Sequence, residues 1–180
     1  MKKLTILLFL ICPMQSKAQG HKGNVESCAP MKEGKVCYSD EVDVEGMKKG
    51  ELFNAIDKWA KKNYGKDVFL SSVTSSKSKG TVFINSKVEL LLNETDKTII
   101  KYKMRIYCFD EKYTIELTDI TYQYDPNNEK KYKTYPAENV IANNGKSNTI
   151  ALIKDPLLFC NATFFFAENL FGDVFDAVED

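Results

Sequence analysis

The sequence predicts an α+β domain, an antiparallel sheet of about five strands in the order β-α-β-β-β-β-α with two helices on one face. Between residues 81 and 124, apolar side chains alternate with charged ones. This period of two is typical of a sheet that is covered on one side only. Stretches with helical spacing flank the alternating segment at 50–65 and 161–178, and each provides an apolar face that can cover the sheet.

The alternation divides the side chains of the sheet into an inner and an outer set. The inner set is Val82, Ile84, Val88, Leu90, Leu92, Ile100, Tyr102, Met104, Ile106, Cys108, Ile115 and Leu117. We therefore expect Met104 and Ile106 to be buried beneath the helices, while Lys103 and Arg105 face outward. The parity changes after Leu117, where Ile120, Tyr122 and Tyr124 follow on the other phase. Either a bulge near Thr118-Asp119 keeps them inside, or the tyrosines line the outer face.

Side-chain matching predicts a register for both central hairpins. A turn over 93–97 and a turn at Glu111-Lys112 give sensible cross-strand pairs. The predicted pairs are Leu92–Thr98, Glu89–Lys101 and Phe83–Tyr107 in the first hairpin, and Cys108–Ile115, Ile106–Leu117 and Tyr107–Glu116 in the second.

The first helix carries an apolar stripe that includes Trp59. At this place in the stripe we expect Trp59 to anchor the core rather than to stack on a ligand. A short strand at Val42–Val44 precedes this helix, and a strand over 67–76 follows it. Asn161 is the expected N-cap of the aromatic-rich second helix.

The long connection over 126–160 contains a turn at 143–145. It should also contain a short helical or extended piece around 137–142, because structureless loops of this length are uncommon.

The first 18 residues have the features of an export signal. Lys2 and Lys3 precede an apolar run over 4–12, and Ala18 offers a cleavage site. A lipoprotein with its acyl chain on Cys12 is the alternative, but the residues before Cys12 fit that signal poorly. The predicted organisation is therefore a signal peptide over 1–18, an N-terminal arm over 19–40 and one domain over 41–180, whose core is 41–125. The protein is expected in the periplasm or outside the cell, with no membrane span.

Composition argues against nucleic acid as a partner. The chain balances 25 basic and 25 acidic residues. The leader removes three lysines and no acid, which leaves a net charge of −3 on 162 residues. A chain of this charge has no long-range attraction for a polyanion.

Four cysteines follow the leader, and an even number in an exported chain predicts disulfides. Cys28 and Cys37 flank a short polar loop, so a local bridge is expected there. Cys108 has inner parity and Cys160 precedes the second helix, so they either pair or remain buried free thiols. No Cys-x-x-Cys spacing occurs and the single histidine is His21, so neither a metal nor another cofactor is expected.

Catalysis is not expected from these residues. His21 lies in a polar arm, where it is a poor base for a nucleophile. The acidic residues Asp110, Glu116 and Asp119 are expected on separate faces or at a turn, without an apolar pocket to raise a pKa. The alternative function is an exported hydrolase or an enzyme inhibitor.

The expected binding surface is the outer face of the sheet. Its candidate residues are Phe83, Lys87, Lys101, Lys103, Arg105 and Tyr107, with Glu89 and Glu116 beside them. The partner is an unknown protein or small ligand of the cell envelope. An ordinary solvated face, whose charges make cross-strand pairs of about 1 kcal/mol or less, is the alternative.

The chain resembles a family of exported proteins, common in Bacteroidetes, that is grouped as domain of unknown function 4468. The resemblance rests on the segments 42–46, 49–59, 109–113 and 115–122, and covers roughly residues 38–125. It implies a fold like that of the TATA-binding protein (TBP) and a place in the cell envelope. The family brings no catalytic residues to transfer.

Overall fold

A computed structural model describes residues 28–67, 69–127 and 132–179. The N-terminal leader, including Cys12 and His21, lies outside the described residues. The strands are β1 (Met31–Lys32), β2 (Lys35–Val36), β3 (Tyr38–Asp43), β4 (Ser71–Ser76), β5 (Thr81–Leu91), β6 (Lys97–Phe109), β7 (Lys112–Tyr124) and β8 (Lys133–Pro136). The helices are α1 (Lys49–Tyr64), α2 (Pro156–Glu179) and a single 3₁₀ turn at Ala137–Asn139.

The domain is an antiparallel sheet with two helices on one face, as the sequence predicts. The described sheet has six strands rather than about five. Its order is β3-β7-β6-β5-β4, and β8 also pairs with β7. Strand β8 and the 3₁₀ turn form the short extended and helical pieces expected in the long connection, and β8 begins four residues before the expected position.

The inner and outer faces are assigned as expected. Met104 and Ile106 are fully buried, Lys103 is exposed and Arg105 is partly exposed. Helix α2 packs on the inner face through aromatic edges: the Phe166 ring meets Tyr102 at 5.2 Å and the Phe159 ring meets Tyr122 at 5.1 Å. Buried hydroxyls are satisfied in the same layer, since Thr163 donates to the Phe159 carbonyl and Tyr122 donates to Thr163.

A bulge in β7 resolves the change of parity. Lys103 pairs with Thr118 but Lys101 pairs with Thr121, so β7 has one more residue than β6 in this interval. Asp119 takes a left-handed φ of 52° at this point. The bulge keeps Ile120 and the two following tyrosines buried, so the alternative of an outward tyrosine row is wrong.

The predicted register of both hairpins is wrong by two residues, although the faces are right. In the first hairpin the observed pairs are Leu90–Thr98, Glu89–Ile99 and Phe83–Arg105; in the second they are Cys108–Tyr113, Ile106–Ile115 and Tyr107–Thr114. In the first turn, Asn93 Oδ1 accepts from Thr95 N and Asp96 N, and Leu92 N donates to Asp96 O. The five-residue loop therefore spans 92–96 rather than the predicted 93–97. The second hairpin closes with Asp110 and Glu111 alone.

Helix α2 begins five residues before the predicted N-cap. Asp155 accepts a hydrogen bond from Leu157 N at 3.1 Å, and Pro156 is the first helical residue. An aspartate N-cap followed by proline is a favourable helix start, so Asn161 lies inside the helix.

Trp59 is half-buried against the core, with its ring 5.6 Å from Tyr64. The turn at 143–145 is present, and all three of its residues have positive φ.

The disulfide connects Cys28 with Cys160, while Cys37 and Cys108 are buried free thiols. The expected bridge Cys28–Cys37 is therefore wrong. Of the two alternatives for Cys108 and Cys160, the pairing is wrong, and the buried free thiol is correct for Cys108 alone. Cys37 lies near Glu116, Lys32 and Arg105, on the outer side of β7. Cys108 pairs with Tyr113, whereas Cys160 lies at the start of α2 near the Tyr122–Ile100 end of the sheet. Eight strand residues, about 26 Å at 3.3 Å each, separate these two ends.

We expect this pairing to appear in peptide mapping. Alkylation of the denatured, unreduced protein should label Cys37 and Cys108 and leave Cys28 and Cys160 unlabelled. The bridge closes a loop with a sequence separation of 132 residues, so its loss should lower the free energy of unfolding by about 3–5 kcal/mol.

Urea unfolding with and without reductant measures that loss. Reductant should destabilise the control variant C37A/C108A, which retains the bridge, and should leave C28A/C160A unchanged. Equal sensitivity of the two variants to reductant would contradict this connectivity.

Candidate functional site

The outer face of the sheet is the candidate site, and the structure places all six predicted residues on it. Phe83 and Lys87 lie on β5, and Lys101, Lys103, Arg105 and Tyr107 lie on β6. Helices α1 and α2 cover the opposite face. The Phe83 and Tyr107 rings meet edge to face at 5.8 Å, although they are diagonal neighbours rather than a direct pair. Lys97, not Lys101, forms the ion pair with Glu89, at 2.9 Å.

An acidic group at the bulge organises one half of this face. Asp119 accepts from Lys35 at 2.9 Å and Lys103 at 3.0 Å, and its carboxylate lies 3.8 Å from Arg105. The two lysines hold the pKa of Asp119 at about 2 by hydrogen bonding and by charge. The outward turn of the bulge aims this carboxylate at the cations. Asp119 and Glu116 therefore share the outer face, so the expectation of separate faces is wrong for them.

Two residues of the N-terminal arm take part in this cluster, and neither is among the residues predicted for the site. Lys32 binds Glu116 and Lys35 binds Asp119. They face β7 because β1 and β2 form a tight hairpin at Glu33-Gly34, where both residues have positive φ. The Glu-Gly pair between two lysines was the available signal, since a two-residue loop with glycine favours a hairpin.

A groove lies beside the bulge and overlaps this cluster, because Lys103 and Asp119 are also among its lining residues. It has a volume of about 530 Å³. Its lining includes Phe69, Ser72, Asn85, Lys87, Lys101 and Thr121. Phe69 is 92% exposed and is not among the residues predicted for the site. A bulge locally bends and twists a sheet, which accounts for a depression at this level of the strands.

Lys87 and Lys101 face each other directly across β5 and β6. Like charges in this position are destabilising. Among the residues that the structure describes, neither lysine forms an ion pair. The nearby acids are engaged elsewhere, Glu89 with Lys97 and Asp119 with Lys35 and Lys103. The groove is therefore a local concentration of positive charge on a chain whose total charge is balanced.

Two further titratable groups, Cys108 and Asp110, lie away from the groove. Burial raises the pKa of Cys108 to about 11, so the thiol stays protonated at neutral pH. Asp110 accepts from Lys49 N at the second hairpin and thereby fixes the start of α1.

Within the described segments, no group of three or more histidine, cysteine, aspartate or glutamate side chains could hold a metal ion. No helix in those segments has the length and hydropathy to cross a membrane.

The charge on Asp119 should make stability pH-dependent. Because its pKa is lower in the folded state than in the unfolded state, the stabilisation is complete above about pH 4 and is lost as pH falls toward about pH 2. Asp119→Asn keeps a residue that tolerates positive φ and removes only the charge. The variant should be less stable than the parent at pH 6, by about 1 kcal/mol after solvent screening, and this difference should shrink as pH falls through about 2.

Urea titrations across this pH range measure the difference, and Asp125→Asn serves as a surface control. A gap between parent and D119N that persists unchanged at pH 2 would contradict the role of the Asp119 charge.

Comparison with known proteins agrees with this architecture. A family model described as a domain of unknown function (DUF4468) with TBP-like fold matches residues 38–123. The chain is similar to the crystal structure of a TBP-like protein from Parabacteroides distasonis ATCC 8503, with 75% identity, a TM-score of 0.83, and coverage of 86% of this chain and 99% of that one.

A second similar structure is a DUF4468 family protein from Bacteroides ovatus ATCC 8483. It has 23% identity and a TM-score of 0.72, and covers 85% of this chain and 91% of that one, so it supports the fold alone. Among curated proteins, none matches the chain. The family model and the Parabacteroides protein together show that this chain belongs to the DUF4468 family, domains of unknown function with a TBP-like fold.

Proposed function

We propose that this chain is an exported, non-catalytic interaction module of the periplasm or cell surface. Its binding surface is the outer face of the sheet, and its partner is an envelope protein that presents an acidic side chain to the groove. The observation that carries the proposal is the direct opposition of Lys87 and Lys101 in a groove. An anion between the two ammonium groups relieves their repulsion, so binding gains more there than at an isolated surface lysine.

The groove also offers contacts that suit a protein ligand. Phe69 provides an exposed aromatic ring at the rim, and aromatic side chains are enriched at protein interfaces. Asn85 and Ser72, which contact each other at 3.4 Å, provide polar groups on the floor. The groove can therefore select an acidic residue that has an apolar neighbour. The two lysines would bind the acid, the aromatic ring would contact the apolar side chain, and the neutral polar groups would form hydrogen bonds.

Export rests on the leader and on the disulfide. The Cys28–Cys160 bridge suits the oxidising conditions outside the cytoplasm. We expect the protein isolated from its native cells to be in the envelope or the medium, with Gln19 as its first residue.

N-terminal sequencing and mass spectrometry of that protein test export. A lipid-modified Cys12 would support the lipoprotein alternative for the anchor. Recovery from the cytosol with an intact leader would refute export.

The binding role predicts contacts that depend on the groove. A photoreactive phenylalanine derivative at Phe69, which lines the groove, should give a discrete crosslinked product in intact cells. The same derivative at Phe175, an exposed aromatic on the helical layer, is the position control. K87E/K101E should abolish the product, because the charge that attracts the acidic partner is reversed.

The charge control is K58E/K62E, which makes the same change in net charge on α1. This control should retain the product. Loss of the product in both charge variants, or an equal product from Phe175, would reject the groove as the binding surface.

A further inference from the structure

Strand β5 is longer than the strand that pairs with the side facing away from β6. On that side β4 pairs only with residues 81–86, and the last backbone bond runs from Lys87 N to Leu70 O at 2.9 Å. Before Leu70 the chain leaves the edge in a turn, since Ser71 N donates to Asp67 O. In the described part of the chain, no strand pairs with the rest of β5 on this side.

The end of β5 therefore offers backbone groups to another strand. Lys87 N points away from β6, and the direction of the backbone groups alternates along an antiparallel ladder. The N–H and C=O groups of Glu89 and Leu91 thus also point away from β6, whereas Leu92 N donates to Asp96 O on the β6 side. An extended segment of about four residues can pair with this edge by strand addition.

An apolar groove lies beside this edge, between β5 and α2. It has a volume of about 480 Å³. Leu91 and Phe165, which line it, are 66% and 63% exposed. Leu90, from the inner set of β5, lines the same groove with Leu158 and Ala162 of α2. Because side chains alternate along a strand, an added strand places every second side chain in this groove, where apolar residues are favoured.

The position of β4 and the charge at the end of the site limit what can bind. The line of β4 is occupied from Leu70 onward, so an added strand has to stop at the level of Val88. An antiparallel strand reaches this level with its C-terminus, and a parallel strand reaches it with its N-terminus. Lys87 and Lys101 lie opposite each other just beyond that level, so they attract a carboxylate and repel an ammonium group. The site therefore favours the C-terminal end of an antiparallel strand.

We propose that the end of β5 binds the C-terminal tail of a partner protein as an added antiparallel strand. The last residue of the tail lies opposite Val88, with its carboxylate beside Lys87, and the third residue from the end lies opposite Leu90. Glu89 and Leu91 exchange backbone hydrogen bonds with the second and fourth residues from the end. The inference rests on the proposed function for the existence of an acidic partner, and it adds where the chain of that partner ends.

Binding of synthetic peptides to the full mature protein tests this mode. Acetyl-Gly-Ser-Thr-Leu-Thr-Val has apolar side chains at the last position and at the third from the end. In a titration to about 2 mM it should shift the backbone amide resonances of Glu89 and Leu91. The same peptide with a C-terminal amide should bind about tenfold more weakly, because it lacks the charge that Lys87 attracts.

A second peptide tests the alternation. Acetyl-Gly-Ser-Leu-Thr-Val-Thr has the same composition, with the apolar residues moved by one position. It should also bind about tenfold more weakly, because its carboxylate reaches Lys87 only when its apolar side chains face away from the groove.

Two variants test the two walls of the site. Leu91→Pro removes an N–H group that points away from β6, a position where an edge strand tolerates proline, and it should weaken peptide binding about tenfold or more. Ser75→Pro makes the same change on the edge of β4 and is the matched control, which should bind like the parent. Ala162→Phe fills the groove from α2 without altering β5, and it should weaken binding to a similar degree.

The outcomes separate this inference from the proposed function. Equal binding of the acid and amide peptides, normal binding by L91P and A162F, or no amide shift up to about 2 mM would overturn tail binding. If the crosslink from Phe69 and its dependence on Lys87 and Lys101 persist in that case, the proposed function stands and only the tail site fails. Normal peptide binding without any crosslink from Phe69 would instead support the tail site and reject the acidic contact in the outer groove.

Discussion

The bulge in β7 is the constraint on which the arrangement of the sheet depends. One additional residue allows an apolar face to continue after the parity of the sequence has changed. Without it, Ile120, Tyr122 and Tyr124 would lie on the outer face, and the Phe159 end of α2 would have no aromatic partners. The bulge also divides the edge of β7 that faces away from β6 into two parts. Strand β3 pairs with 112–117 and β8 pairs with 121–124. A single insertion thus determines both the inner layer and the neighbours of β7.

The same insertion shapes the outer face. It turns Asp119 toward Lys35 and Lys103, and so links the N-terminal hairpin to the sheet through charge. The disulfide from Cys28 to α2 links the same arm to the helical layer. The arm is therefore fastened on two sides, by ion pairs of modest strength and by one covalent bond. Among the residues that the structure describes, none covers the region of β5 and β6 that contains the groove.

Sequence patterns predict the layers of this fold well and its exact pairings poorly. A period of two identifies which side chains are inside, because burial acts on each residue separately. Register within a hairpin depends on turn geometry, and a shift of two residues preserves both faces. The Asx-type bonds at Asn93 and the two-residue turn at Asp110-Glu111 decide it, and neither is visible as periodicity. The outward orientation of the six candidate residues was predictable because alternation alone determines it, whereas Phe69 precedes a strand and follows no period.

The cysteine pairing could not be predicted for a different reason. It depends on which ends of the strands and helices lie close together in the folded chain. Cys37 is close to Cys28 in the sequence, but the hairpin directs its side chain toward the outer side of β7. In an unfolded chain, however, loop-closure entropy favours the nearby pair. The free thiols of Cys37 and Cys108 become inaccessible only when the chain has packed. Both must therefore remain unoxidised while the chain is still unfolded. Maturation of this protein consequently favours either collapse of the sheet before oxidation or assistance from a thiol-shuffling catalyst.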